Sequence, residues 1–142
     1  MSRIFWDTNV FIYLFENHAI HQKEAMALRT KMLVRGDELI TSWVTVGEIQ
    51  VQSPRRASIG NYSKYRDVIV QTARVLAFEE VASDRYREVR QLTSVRGPDA
   101  MQLACAAAAG VEIFVTNDKK LHGLQVPGIH FIASIASAEH LL

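Results

Sequence analysis

The sequence lacks the features that mark secreted and membrane proteins. It has a single cysteine, Cys105, so no disulfide can form within the chain. No apolar run approaches the roughly 18 residues that cross a bilayer, and the N-terminal segment reaches an acid, Asp7, too early for a secretion signal. These absences predict a cytoplasmic protein without membrane association.

Internal repeats, low-complexity runs and linkers are also missing, so the 142 residues are expected to form a single domain, 1–142. Its composition, 49% hydrophobic and 22% charged, is ordinary for a globular protein. The net charge is only +1. If four acids belong to one metal site, however, the rest of the chain is mildly basic, which suits a polyanionic substrate.

Short apolar segments alternate with longer amphipathic ones. Strands are predicted at residues 3–7, 38–42, 75–78, 112–116 and 130–132. Helices are predicted at 8–16, 20–34, 43–51, 62–74, 83–93 and 99–109, with a turn at Gly97-Pro98 and a short helix from Lys119. Alternation of this kind predicts an α/β domain with a parallel sheet.

Four acids are expected at one edge of that sheet. Asp7 closes the first strand, and Asp118 follows the fourth. Glu48 lies about two turns into the helix that leaves the second strand, and Asp99 begins the helix that returns before the fourth. Ligands of such sheets bind outside the carboxyl ends of the strands. Taken singly, each acid has an ordinary explanation as a helix cap, a turn residue or a solvated side chain.

Carboxylates gathered in one place repel each other, by roughly 4 kcal/mol for a pair about 4 Å apart at an effective dielectric of 20. Either some are protonated or a divalent cation neutralises them. Oxygen ligands without a nearby cysteine favour Mg²⁺, with Mn²⁺ as a substitute, over zinc. Such an ion activates a water for attack on phosphorus, and a second ion can stabilise the leaving oxygen.

The segments around the acids resemble those of a known family. They read Asp7-Thr8-Asn9, Thr45-Val46-Gly47-Glu48-Ile49, Pro98-Asp99-Ala100-Met101-Gln102-Leu103 and Val115-Thr116-Asn117-Asp118-Lys119. In this order and spacing, the chain resembles the PIN-domain ribonucleases, and especially the VapC-type toxins of toxin–antitoxin pairs. The resemblance runs from Ile4 to Phe131.

This resemblance implies a three-layer α/β/α fold with a four- to five-stranded parallel sheet, and a metal-dependent endoribonuclease that leaves a 5′-phosphate. It implies a small antitoxin partner and a homodimer. It also assigns the catalytic metal ligands, which are Asp7, Glu48, Asp99 and Asp118, with Asp7 and Asp99 as the surest direct ligands. Asn9 and Thr116 match positions that support such a site by hydrogen bonding.

Cations near the acids are candidates for RNA phosphate contacts. Arg96 and Lys119 lie within three residues of an expected ligand, and the further candidates are Arg55, Arg56 and Lys120. Residues 52–65 resemble the family least and are expected to influence the choice of RNA. Three side chains, Trp6, Trp43 and Cys105, are expected in the core, whereas His122 is expected at the surface.

Two other functions stay open. A PIN-like module without catalysis could hold RNA or a protein, although it would have little reason to retain four mutually repelling acids. A phosphatase of the haloacid dehalogenase kind also begins from an aspartate at the end of the first strand. That chemistry usually needs a second acid two residues later, where this chain has Asn9.

Overall fold

The computed structural model describes residues 1–16, 19–52 and 59–142, and at 52 and 59–63 it describes the backbone alone. The phosphate-contact candidates Arg55 and Arg56 therefore lie outside the described residues. Within the described chain, no helix combines the length and the apolar character that a bilayer crossing requires.

Five strands form one parallel sheet in the order β3-β2-β1-β4-β5. The strands are β1 (Arg3–Trp6), β2 (Glu38–Ser42), β3 (Arg74–Leu76), β4 (Ile113–Val115) and β5 (Phe131–Ala133). The central strand β1 lies between β2 and β4, with Ile4 aligned to Leu39 on one side and to Ile113 on the other. The predicted parallel sheet is confirmed, and its five strands match the upper limit of the predicted four to five.

Helices cover both faces of the sheet. Those described are α1 (Thr8–Phe15), α2 (Ala19–Arg35), α3 (Trp43–Gln52), α4 (Ile59–Thr72), α5 (Glu80–Leu92), α6 (Gly97–Ala109) and α7 (Ile135–Leu141). Successive residues of a strand face opposite sides. Accordingly, Ile4 and Trp6 join one apolar cluster with residues of α1 and α2, while Phe5 joins a second with residues of α5 and α6. The arrangement is the expected three-layer α/β/α fold.

The second cluster depends on small residues. Phe5 stacks on Phe114 with ring centroids 5.0 Å apart, and the buried face of α6 over this cluster is largely alanine. Alanine lets a helix approach a sheet closely, so the aromatic pair fills the layer between them. Cys105 is buried in this helix, which confirms its expected core position.

The two tryptophans behave differently. Trp6 is fully buried, as expected, but the core prediction for Trp43 is wrong, because 46% of that residue is exposed. Trp43 begins α3 at the end of β2, at the edge of the sheet rather than within a layer. The guanidinium carbon of Arg66 lies 6.0 Å from the centroid of its ring.

Two predicted local structures are wrong. Gly97 and Pro98 form the first turn of α6 rather than a separate turn, since proline suits the first helical positions. Gly97 has a φ of 58°, which a residue with a side chain rarely adopts. From Lys119 the chain forms turns instead of a helix. The His122 N–H bonds to the Lys119 carbonyl, three residues back, at 3.3 Å.

Helix α7 was not predicted. Ser134 caps it by accepting a hydrogen bond from the Ser137 N–H at 3.1 Å. Its seven residues include two alanines and one serine, so it carries little amphipathic signal and depends on packing against α2.

Candidate metal centre

Asp7 is placed at the carboxyl end of the central strand by backbone bonding. Its N–H donates to the Val115 carbonyl at 3.0 Å, which continues the pairing of β1 with β4 for one residue. Its side chain then caps α1 by accepting from the Thr8 N–H at 2.8 Å. The strand end and the helix start therefore fix this carboxylate from both directions.

Both carboxylate oxygens of Asp7 are hydrogen-bonded, and only 4% of the residue is exposed. Oδ1 accepts from the Thr8 N–H and from the Gln102 amide at 3.3 Å. Oδ2 accepts from the Thr116 hydroxyl at 2.8 Å and from the Asn9 amide at 3.2 Å. Four donors on two oxygens hold the carboxylate in a single orientation.

Burial nevertheless raises the pKa of Asp7 to about 6. The hydrogen bonds from Thr116 and from the Thr8 backbone oppose this rise, and the charges of Asp99 and Glu48 add to it. Desolvation is thus the largest effect on this acid. A bound cation would favour its charged form.

Glu48 reaches the same centre from α3. Its Oε1 accepts from the Thr8 hydroxyl at 2.7 Å, so Thr8 contacts Asp7 through its backbone and Glu48 through its side chain. Burial raises the pKa of Glu48, the Thr8 hydrogen bond lowers it, and the charge of Asp99 raises it. These effects connect the acids of three different elements.

Asp99 and Asp118 complete the cluster. Asp99 lies in the first turn of α6, and its pKa is raised by burial and by the charge of Asp118, against a lowering by Lys120. The Asp118 N–H donates to the Thr116 hydroxyl at 3.1 Å, and its Oδ1 accepts from the Lys120 N–H at 3.1 Å. The structure therefore brings all four predicted acids to one region, where each either raises the pKa of another or has its own pKa raised by another.

Asn9 and Thr116 also lie where the sequence places them. Besides contacting Asp7, the Asn9 amide donates to the Thr116 hydroxyl at 3.0 Å, and Asn9 Oδ1 accepts from the Asn117 N–H at 3.0 Å. These bonds join the ends of β1 and β4. Their role in supporting a metal site stays a prediction.

In the part of the chain that the structure describes, neither of the two predicted cations is paired with one of the four acids. Arg96 is exposed at the N-terminus of α6, and Lys119 is exposed beside a neighbouring pocket. Among the described ion pairs, neither joins one of the four acids. The cation whose charge acts on Asp99 is Lys120.

Sequence reasoning missed Gln102, which is 1% exposed. Its amide nitrogen donates to Thr45 Oγ1 at 2.6 Å and to Thr8 Oγ1 at 3.3 Å, as well as to Asp7. Its carbonyl oxygen accepts from the Ser42 hydroxyl. The available signal was a glutamine one turn after Asp99 within an alanine-rich helix, where a buried polar group needs partners.

Comparison with known families decides the identity of this fold. The model of the PIN domain matches residues 4–126, which contain all four acids. The chain belongs to the PIN-domain family. A comparison with curated protein sequences gave no significant match.

Solved structures of similar fold include complexes of the VapBC type. One is VapBC2 from Rickettsia felis bound to a DNA fragment from its promoter, with a TM-score of 0.74 and 15% identity over 93% of this chain and 98% of that one. Another is DNA-bound VapBC from Salmonella typhimurium, with a TM-score of 0.71 and 18% identity over 95% and 99%. A toxin–antitoxin complex from Klebsiella pneumoniae has a TM-score of 0.62 and 23% identity over 89% and 94%. At these identities the resemblance establishes the fold.

The donor set of this PIN domain suits a hard divalent cation. Its acidic oxygens are accompanied by hydroxyls and amides, and the only cysteine is buried in α6. Among the described residues, no three His, Cys, Asp or Glu side chains form a ready cluster for a metal ion. Mg²⁺ does not require one, because it keeps several waters and takes only one or two carboxylates per ion. The residues therefore fit a water-rich ion rather than a fully protein-bound one.

Proposed function

We propose that this PIN domain is a Mg²⁺- or Mn²⁺-dependent endoribonuclease and the toxin of a type II toxin–antitoxin pair. The main support is Asp7, a buried acid with both oxygens held in place, whose charged form is disfavoured by burial and by Asp99 and Glu48. Burying a fixed acid beside other acids destabilises the folded protein, which makes a purely structural role for Asp7 unfavourable. It suits a site completed by a cation.

In this proposal Asp7, Glu48, Asp99 and Asp118 would hold the ion, with Asp7 and Asp99 the surest direct ligands. The bound ion supplies a water of lowered pKa and Lewis-acid stabilisation of the phosphate. The hydrogen bonds from Asn9, Thr116 and Gln102 keep the Asp7 carboxylate oriented. Without a cation, the four acids would repel the RNA backbone, so metal is needed for substrate binding as well as for hydrolysis.

The toxin role draws on the similarity to VapBC complexes. Together with the toxin role we propose a small antitoxin partner, a homodimer, a cytoplasmic location and a single domain over residues 1–142. The test is co-expression with the product of any short neighbouring reading frame. Growth arrest by this chain alone, relieved by that product, would support the pair, and unaffected growth in both cases would contradict it.

The nuclease proposal is tested by digesting total RNA with wild type, Asp7→Asn and the control Asp84→Asn, each with Mg²⁺, Mn²⁺ or EDTA. Asp84 is an exposed aspartate of α5 outside the acid cluster, so it controls for the loss of one negative charge. We expect cleavage by wild type and Asp84→Asn, stopped by EDTA, and none by Asp7→Asn. Cleavage by Asp7→Asn at the wild-type rate would refute the assignment.

The non-catalytic alternative has one observation in its favour, which is the absence of a ready three-ligand cluster among the described residues. RNA binding without cutting in Mn²⁺, by protein free of antitoxin, would support it. The phosphatase alternative is disfavoured, because Asn9 uses its amide to donate to Asp7 and Thr116 and so offers no second acid.

A further inference from the structure

A polar pocket of about 270 Å³ lies directly beside the acid cluster. We call it the side pocket, and its walls include Tyr13, His21, Glu24, Asn117, Lys119 and His122. Asn117 and Lys119 are the two chain neighbours of Asp118. A substrate strand held at Asp118 would therefore reach the side pocket within about one nucleotide.

Hydrogen bonds fix the side pocket to the loop that supports Asp7. The Asn117 N–H donates to Asn9, and Asn117 Oδ1 accepts from the Ile135 N–H at 3.0 Å. His122 Nε2 lies 2.7 Å from the Thr116 carbonyl oxygen. Because a carbonyl oxygen only accepts, this nitrogen carries the proton and donates. Two residues of the pocket wall, Asn117 and His122, are thus bonded to Asn9 and Thr116, which contact Asp7.

The side pocket offers different chemistry at its two ends. Lys119 supplies an exposed ammonium group. On the α2 side, Glu24 Oε1 lies 3.0 Å from His21 Nδ1, and the ring of His21 lies 4.6 Å from that of Tyr13, centroid to centroid. These groups match the parts of an unpaired nucleotide. Proteins use a cation to bind its phosphate, aromatic rings to stack on the face of its base, and a carboxylate to accept hydrogen bonds from the edge of its base.

We propose that the side pocket binds one unpaired RNA nucleotide next to the scissile phosphate, with its phosphate on Lys119 and the amine of its base on Glu24. This inference rests on the proposed ribonuclease function. A carboxylate accepts from the exocyclic amine of cytosine, whereas at the equivalent position of uracil it would meet the O4 carbonyl oxygen. The pocket is therefore expected to prefer an amine-bearing base, which makes it a specificity determinant.

Size and position favour this pocket over the larger one. Pockets for drug-sized ligands measure about 300–1,000 Å³, so about 270 Å³ suits a single planar base. The larger pocket, about 790 Å³, is lined by residues of the 123–132 segment and the end of α5, and the described residues that line it include no chain neighbour of the four acids. A nucleotide there would not adjoin the acid cluster.

The direct test is a titration in EDTA, where no cleavage occurs, with CMP and UMP as probes and the ring resonances of His21 and His122 as the readout. Wild type should bind CMP about tenfold more tightly than UMP. Glu24→Gln should bring the two affinities close together. Lys119→Met should weaken both by about tenfold, while the charge-matched control Lys23→Met, on the exposed side of α2, should change neither.

Equal binding of CMP and UMP by wild type, or an unchanged preference in Glu24→Gln, would overturn the inference. Mapping of RNA cut ends separates the two proposals. If wild type cuts RNA and Glu24→Gln cuts at the same positions with the same preferences, the side pocket is not a specificity site although the nuclease proposal stands. If wild type cuts no RNA but binds CMP selectively, the nuclease proposal fails and the nucleotide site remains.

Discussion

The two halves of the acid cluster are held to very different degrees. Asp7 is buried with four hydrogen-bond donors, and Glu48 is bonded to the Thr8 hydroxyl. Asp99 and Asp118 are less buried than Asp7. The described side-chain hydrogen bonds of this second half consist of the one that Asp118 accepts from the Lys120 N–H.

This difference indicates a division of labour. The Asp7 half is preorganised, because its orientation is set before any ion or substrate binds. The Asp99 half can adjust its distance to an ion, which is consistent with the absence of a closed cluster among the described residues. Loss of the fixed acid Asp7 should therefore remove activity outright, whereas loss of the adjustable acid Asp118 should only reduce it.

The largest expected effect is the difference in the rate of RNA cleavage between Asp7→Asn and Asp118→Asn. We expect Asp7→Asn to lower the rate of RNA cleavage by about a thousandfold or more, since a metal ligand contributes several kcal/mol to the transition state. Asp118→Asn should lose only about 10- to 100-fold. Rates on one RNA oligonucleotide at saturating Mn²⁺ provide the measurement. Equal losses in the two variants would remove the distinction between the halves.

The buried carboxylate of Asp7 should also make the stability of the protein depend on pH. Since burial raises the pKa of Asp7 from 3.8 to about 6, folding favours its protonated form. This contribution to stability is fully present below pH 3.8 and is lost as the pH rises through about 6. Between pH 4 and 7, in EDTA, wild type should lose up to about 3 kcal/mol relative to Asp7→Asn.

Urea unfolding of both proteins across this pH range measures the difference directly. The hydrogen bonds that asparagine cannot accept shift the variant equally at every pH, so the pH dependence isolates the charge. Saturating Mn²⁺ should stabilise wild type and shrink the difference. A constant difference from pH 4 to pH 7 would show that Asp7 is not the titrating group.

A smaller effect is expected from Gln102→Met, which keeps the size of the side chain but removes its amide. The variant removes the hydrogen bonds of Gln102 to Ser42 and Thr45, and it removes one of the two donors to Asp7 Oδ1. Loss of such a supporting residue should weaken Mn²⁺ binding and cleavage by about 10- to 100-fold. Calorimetric Mn²⁺ titration distinguishes this from simple instability, and Gln91→Met, exposed on α5, is the matched control. Unchanged Mn²⁺ affinity would limit Gln102 to a structural role.

The strands and the positions of the four acids were predictable, because both follow from local pattern. The apolar run of β1 ends at Asp7, and the carboxyl ends of parallel strands share one edge. The family resemblance supplied what pattern alone could not, namely a role for Glu48. A glutamate on a helix is usually solvated, and nothing local distinguishes this one.

The supporting contacts were beyond sequence reasoning for a physical reason. Thr8 reaches Glu48 across 40 residues and Gln102 reaches Asp7 across 95, so these bonds exist only after the sheet and α6 have packed. The turns after Lys119 were missed for a different reason. Lys119, Lys120 and Leu121 suit a helix locally, but Gly123 adopts a φ of 84° and ends it before one turn is complete.

The smallest effect, in the open half, concerns Lys120, whose charge lowers the pKa of Asp99 against the effect of burial. If this lysine also meets the RNA backbone, Lys120→Ala should raise KM for RNA a few-fold and reduce the slope of log kcat/KM against log salt by about 1. Lys120→Arg should keep the slope, and Lys23→Ala, which removes an exposed lysine of α2, should behave as wild type. A KM change with an unaltered salt slope would mean that Lys120 acts through Asp99 alone, because only a direct phosphate contact releases a counterion from the RNA.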